Sequence, residues 1–295
     1  MATQKGVWNL QQVRDKQLQS LWDYAAPSGV NALFSWGYNR YGQLGQNTAS
    51  DAGLLSSPTQ IPGSWSKVTS GKDESAAVKT DGTLWVWGRN NYGQLGQNAI
   101  SNPADVGISS PIQVPGTTWA EVQSAWNAIL AKKTDGTLWT WGDGWAGGSG
   151  QNSSTLDRVS SPVQIGSDTT WNKINRTPFA AYATKTDGTL WAWGNNPDGR
   201  LGQNSRTQYS SPVQIPGTTW VYPVAIFNSL FAVKTDGTMW ATGRNNFGQL
   251  GLNSTQSPAN HGLSSPVQIP GVWPTDAGLW HGSSRGYFIH AFQKD

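Results

Sequence analysis

The sequence predicts an all-β fold, a five-bladed β-propeller, and three observations carry that prediction. The phrase Lys-Thr-Asp-Gly-Thr, followed by an apolar run, occurs at 79–83, 133–137, 185–189 and 234–238. A Ser-Ser-Pro tripeptide opens five units, at Ser56, Ser109, Ser160, Ser210 and Ser264. One more copy of the hairpin phrase is divided between the chain ends: 291–295 matches 77–81, and 31–37 matches 82–88. A repeat shared by both ends completes a ring, so strand 287–292 is expected to pair with strand 32–37 and seal it.

Each unit justifies its strands in the same order. After Ser-Ser-Pro comes a short apolar strand such as Ile112-Gln113-Val114, then a tight turn and a tryptophan: Trp65, Trp119, Trp171, Trp220 or Trp273. An apolar strand follows (76–78, 128–131, 180–183, 231–233), then Asp-Gly, where glycine supplies the positive φ of a two-residue hairpin turn. The strands are apolar on consecutive residues, the pattern of strands covered on both faces. Units of about fifty residues that stack on one another are the signature of propeller blades. After each Leu-Trp-x-Trp-Gly strand the chain reads Asn-x-x-Gly-Gln-Leu-Gly or a variant, whose leucine is expected to plug the space between blades. One unit departs, reading Gly147-Gly148-Ser149-Gly150, and a looser turn is expected there.

Composition agrees with many short strands. Among 295 residues there are 35 glycines and 18 tryptophans, and charged residues make up only 13%. A formal charge of +3 is too small to indicate a nucleic-acid partner. With no cysteine, thiolate chemistry and cysteine metal sites are excluded. No secretory signal and no bilayer-spanning run is visible, so no membrane insertion is expected.

The recurring Trp-Gly-x-Asn-x-x-Gly-Gln-Leu-Gly phrase resembles the repeat of the regulator of chromosome condensation family, over about residues 30–295. The resemblance implies a β-propeller. It does not imply one activity, because members include an exchange factor for a small GTPase and a light receptor.

Residues 1–29 stand outside the repeats, and 30–295 form the propeller domain. Asn9 and Gln12 fit a capping box, and Trp8 with Val13 fits a hydrophobic staple, so a helix is expected to about Ala26. Its apolar stripe makes Trp8, Leu10, Val13, Leu18, Leu21 and Trp22 a candidate anchor for another subunit or protein. The segment Gly6–Lys16 resembles amino-terminal segments of tailed, especially marine, bacteriophage structural proteins.

Three histidines, His261, His281 and His290, show no metal-pair spacing, and no nucleophile elbow, phosphate loop or paired-carboxylate motif is visible. No catalytic residue, metal or cofactor is assigned. Most tryptophans recur at fixed repeat positions and read as packing. Trp126, Trp145 and Trp280 do not, which makes them candidate ligand-binding residues, Trp145 above all because it sits in the departing unit. The loops between blades vary while their flanks repeat, the pattern of a rigid ring that presents recognition loops.

The leading expectation is a non-catalytic bacteriophage virion structural protein (tail, fibre or capsid-associated), localised in the virion as part of an oligomeric assembly. Its partners would be other virion proteins, through residues 1–29, and a host-surface receptor or glycan. Two alternatives stand beside it: a cellular protein-interaction propeller and a lectin-like glycan-binding module.

Overall fold

The computed structural model describes residues 31–49, 54–100, 107–153, 158–255, 262–275, 280–282 and 289–291. The fold is all-β and propeller-like. β1 (Leu33–Tyr38) and β2 (Leu54–Ile61) form a two-stranded sheet. The first four-stranded blade holds β3 (Trp65–Ser70), β4 (Glu74–Lys79), β5 (Leu84–Gly88) and β6 (Ile108–Val114). The second holds β7 (Trp119–Ala125), β8 (Ala128–Lys133), β9 (Leu138–Asp143) and β10 (Arg158–Gln164). The third holds β11 (Trp171–Arg176), β12 (Ala180–Lys185), β13 (Leu190–Gly194) and β14 (Tyr209–Ile215). The fourth holds β15 (Trp220–Ile226), β16 (Ser229–Lys234), β17 (Met239–Gly243) and β18 (Leu263–Ile269). β19 (Trp280–Gly282) and β20 (Ile289–Ala291) pair as a separate hairpin.

All pairings are antiparallel, and the innermost strands β3, β7, β11 and β15 lie against one another in succession. The turns after the first and third strands of each blade therefore open on one face, here called the loop face. The Asp-Gly turns open on the opposite face.

The repeated phrase on that opposite face is a hydrogen-bonded clamp. Asp81 Oδ1 accepts from the backbone N–H of Thr83 at 2.9 Å and from its hydroxyl at 2.6 Å. The same hydroxyl oxygen accepts the Trp85 indole N–H at 2.8 Å. Lys79 lays its ammonium over the Trp85 ring, 3.9 Å from the centroid, and 5.3 Å from that of Trp65. Lys133, Lys185 and Lys234 repeat the arrangement over their own tryptophan pairs. Conservation of the phrase within the chain thus has a local cause: each residue type supplies one contact of the clamp.

A second repeated device joins neighbouring blades. The leucines Leu44, Leu95, Leu201 and Leu250 are buried as expected. The glycine that follows each of the first two sits against the next blade's tryptophan: a Cβ on Gly45 or Gly96 would lie 3.0 Å from the indole nitrogen of Trp87 or Trp141. Those indoles donate to the Gln43 and Gln94 carbonyl oxygens at 2.8 and 3.0 Å. Farther out, the Asn47, Asn98, Asn152 and Asn204 N–H groups donate to Ser109, Ser160, Ser210 and Ser264 of the next blade. Each of these asparagines has a φ between 52° and 58°, a conformation asparagine tolerates better than most residues.

The expected seal between strands 287–292 and 32–37 is corrected. β1 pairs with β2, β20 pairs with β19, and among the described residues no hydrogen bond joins β1 to β20. Matching halves of a repeat identify equivalent strands, but pairing across the full chain also requires the two ends to meet in register. The consequence is visible at Trp36, the counterpart of Trp87, which is 60% exposed, and at Ser56 and Ser57, which are exposed as well. The expected anchor helix, with Trp8, Leu10, Val13, Leu18, Leu21 and Trp22, lies outside the described residues.

Candidate functional site on the loop face

Two of the three non-repeating tryptophans converge. Trp126 occupies the first position of the two-residue turn between β7 and β8, and Trp145 starts the short 3₁₀ turn Trp145–Gly147 that follows β9. Phe179, from the turn between β11 and β12, lies between them, with ring centroids 5.4 Å from Trp126 and 5.6 Å from Trp145. Phe227, at the tip between β15 and β16, stacks edge-on against Phe179 at 4.9 Å and lies 6.1 Å from Trp126. Tips of three successive inner hairpins thus form an aromatic collar, and Trp145 extends it outward. The side chain of Trp280 lies outside the described residues.

Trp126 and Trp145 are 44% and 43% exposed, and Trp126 has a φ of 54°. A bulky residue in the left-handed region costs about 1–3 kcal/mol, and such strain concentrates at functional sites. Beside the two rings lies a cavity of about 270 Å³ lined by Lys72, Tyr92, Trp126, Asn127, Asp143 and Trp145, among others. Lys72 holds its ammonium 5.9 Å from the Trp126 centroid, and Arg158 places its guanidinium 4.6 Å from that of Tyr92.

The departing unit explains why Trp145 faces outward. In the neighbouring unit, Asn90 accepts the Leu95 N–H at 3.0 Å and Gln94 accepts the Tyr92 N–H at 2.9 Å, closing the turn from within. The equivalents of Asn90, Gln94 and Leu95 are Gly144, Gly148 and Ser149, which cannot make those contacts. Arg176, from the next blade, ties the turn through its carbonyl oxygens instead. It is fully buried and donates to the Gly148 carbonyl at 2.9 Å and more weakly to that of Asp143 at 3.4 Å. A Cβ on Gly148 would lie 3.3 Å from its guanidinium, so arginine fills the space that the glutamine vacates. Burial pushes the Arg176 guanidinium down to about 10, opposed by the nearby Asp143. The turn expected to be loose is tied from outside.

Beneath the collar, Glu74 is fully buried and accepts the Ser124 hydroxyl at 2.6 Å. Burial pushes its carboxyl up to about 8 against that hydrogen bond. On the side toward β1, Arg89 pairs with Asp73 at 3.2 Å and lies over Tyr41. On the other side Arg200, in the glutamine position of its own unit, pairs with Asp198 at 2.5 Å and lies under Phe179. Sequence reasoning found Trp126 and Trp145 but missed Arg176, Phe179 and Phe227. Two signals pointed to them: an arginine ending an inner strand, and aromatics in hairpin turns where polar residues are usual. Among the described residues no group of three His, Asp or Glu side chains is placed to hold a metal ion, and no helix is long and apolar enough to cross a membrane.

Successive blades, repeated clamps and repeated seams define a propeller-like fold built from one supersecondary unit. The regulator of chromosome condensation (RCC1) repeat profile matches residues 31–78, 81–127, 187–226 and 236–273, together more than half the chain, and the chain belongs to that family. A second RCC1 repeat profile matches residues 65–94. The unit bearing Trp145 falls in the unmatched stretch between the second and third repeats. The chain is 28% identical over 207 residues to the human E3 ubiquitin-protein ligase HERC2, covering 66% of this chain and 4% of that protein. It is 27% identical over 183 residues to the Arabidopsis thaliana ultraviolet-B receptor UVR8, covering 61% of this chain and 41% of the receptor. Among solved structures, human WBSCR16 is similar with a TM-score of 0.69 and 20% identity, over 82% of this chain and 63% of that one. Prp20p from Saccharomyces cerevisiae, studied for its binding to Gsp1p and histones, also gives 0.69, at 19% identity, over 82% and 60%. The chain thus spans less than two thirds of the length of these relatives, and the structural likenesses speak for fold alone.

These relatives correct the leading expectation. They are cellular proteins, and they overturn the bacteriophage virion assignment. The virion localisation and the virion and host-surface partners fall with it. The leader phrase that motivated that assignment spans eleven residues, whereas the family matches span four repeats and begin at residue 31. Short phrases recur by chance far more readily than repeats joined by shared packing.

Proposed function

We propose that the chain is a non-catalytic, cellular protein-interaction propeller that engages its partner through the loop face. The observation that carries this reading is the collar of Trp126, Phe179 and Phe227, extended by Trp145 and held on rigid hairpins. Half-exposed aromatics beside arginines are the residue types that dominate binding energy at protein interfaces. The test is capture of partners from source-cell extract by the full chain. Capture should be lost in Phe227→Ala and Trp126→Gly but kept in Lys133→Ala on the opposite face. Loss in Lys133→Ala with retention in the collar variants would reject the loop face.

In this reading residues 30–295 are one five-bladed ring, in which the sheets β1–β2 and β19–β20 contribute to a single fifth blade. Both halves of a fifth seam support it. Asn253 has a φ of 52°, like its four counterparts, and Ser56, Ser57 and Trp36 repeat the residues those counterparts and their turns meet on the next blade.

A further inference from the structure

The structure assigns the cavity beside Trp126 and Trp145 to a proline-rich segment of the partner in an extended polyproline conformation. The inference rests on the loop-face reading and names the chemistry that this part of it recognises.

Hydrogen-bonding complementarity is the first argument. The tryptophans that pack blades turn their indole N–H groups inward: Trp65 and Trp119 donate to carbonyl oxygens, and Trp85, Trp139, Trp191 and Trp240 to threonine hydroxyls. Trp171, Trp193 and Trp220 bury indole N–H groups that have no partner, whereas Trp126 and Trp145, whose indole N–H groups also donate to no group among the described residues, keep their rings about two-fifths exposed. The Asn127 side chain and the Lys72 ammonium add further donors to the same cavity. Its one carboxylate, Asp143, already accepts the Trp145 backbone N–H at 3.1 Å. The cavity is therefore apolar in its rings and rich in donors. A proline-rich segment is the complementary ligand: it has apolar rings, strongly accepting carbonyls and no N–H at its prolines.

Shape and charge narrow the choice. At about 270 Å³ the cavity is small, so it takes a ring or two of a longer ligand that runs on across the face. The Phe179 ring is inclined at 62° to Trp126 and at 63° to Trp145, so the three form ridges and a trough, not one flat platform. Aromatic ridges of this kind receive proline rings in known recognition grooves, where the preformed helix lowers the entropy cost of binding. Lys72 over Trp126 and Arg158 over Tyr92 already supply cations to two rings, which disfavours a cationic guest. An ordinary aliphatic anchor would leave the indole and amide donors unpaired on burial, at about 1–3 kcal/mol each.

The experiment uses the full chain and fluorescein-labelled peptides read by polarisation: a proline decamer, a Gly-Ser decamer and an acidic Glu-Gly decamer. The proline peptide is expected to bind, to lose at least tenfold affinity in Trp145→Ala, and to keep its affinity in Lys133→Ala on the opposite face. Circular dichroism of Trp145→Ala guards against unfolding, and Trp145→Phe should recover part of the affinity. Binding of the acidic peptide in preference to the proline one overturns the inference, as does the absence of proline-peptide binding by the folded chain. If extract partners are still captured through the collar in that case, only the ligand chemistry fails. If capture fails as well, the loop-face reading falls with it.

Discussion

The guanidinium of Arg176 takes the carbonyl oxygen of Gly148, at 2.9 Å, that in the two preceding units is taken by a tryptophan indole. Trp193, the indole in that place, is buried and its N–H has no partner. One substitution pattern therefore links three events: glycine replaces glutamine at 148, an arginine enters from the next blade, and Trp145 is turned to the surface.

Removing the strut should separate these effects. In Arg176→Met the Gly148 carbonyl becomes free for Trp193, so the loss of stability is limited to about 1–3 kcal/mol. Trp145 loses its fixed position, and partner binding should fall more than stability does. Urea unfolding measures the first effect. The 5-fluorotryptophan NMR line of Trp145, assigned by its loss in Trp145→Phe, reports the second by broadening. An unchanged line would show that Arg176 does not hold the turn.

Trp126→Gly should uncouple stability from binding. Glycine adopts the φ of 54° without strain, and relief of about 1–3 kcal/mol offsets the lost contacts with Phe179 and Phe227. The expected melting temperature is close to that of the parent, while partner capture is abolished. A large fall in melting temperature would mean that Trp126 is retained for packing alone.

Glu74 gives a pH dependence with a defined sign. Its folded carboxyl is raised to about 8 by burial, above the ordinary 4.5, so the folded state holds a proton that the unfolded chain releases. Its stabilising contribution is fully present below about 4.5 and is lost as pH rises through about 8. Glu74→Gln keeps an acceptor for Ser124 without the ionisation. Its melting temperature should therefore exceed that of the parent at pH 9, and the gap should shrink toward pH 5. A constant gap across that range would contradict the assignment.

The fifth seam can be tested covalently, because the chain has no cysteine of its own. At a made seam the Ser110 hydroxyl donates to Asn47 Oδ1 at 2.8 Å, so Asn47→Cys with Ser110→Cys serves as the positive control. Asn253→Cys with Ser57→Cys probes the closing seam. A closed five-bladed ring forms this bridge within one chain, visible as a faster-migrating monomer on a non-reducing gel. Bridging only between chains, or none while the control bridges, would sink the five-bladed closure.

Much of the blade was legible in the sequence because its signals are local. Asp-Gly between apolar runs specifies a hairpin by itself, and β4 with β5 and β8 with β9 lie where the phrase places them. The buried leucines of the Gly-Gln-Leu-Gly turns were legible for the same reason, since repetition at one register implies one environment. Trp126 and Trp145 were legible as exceptions to that register. Their meeting was not, for it depends on how a hairpin tip and an outer turn of the second blade approach a tip of the third. Arg176 was hidden for a related reason: its partners Gly148 and Asp143 stand 28 and 33 residues earlier and on another blade.

The sequence by itself determined the repeat, the order of strands within each blade, the buried leucines of the turns and the unit that breaks the pattern. Each depends on contacts between residues close in the chain or at the same repeat position. Tertiary structure alone decided that the broken unit, a strained hairpin tip and a phenylalanine from the next blade share one surface. It also decided that, among the described residues, β1 pairs with β2 alone and leaves Trp36 exposed. Both outcomes depend on how whole blades are placed against one another. That placement is fixed by buried side chains and loop closure over long separations, and no local period in the sequence encodes it.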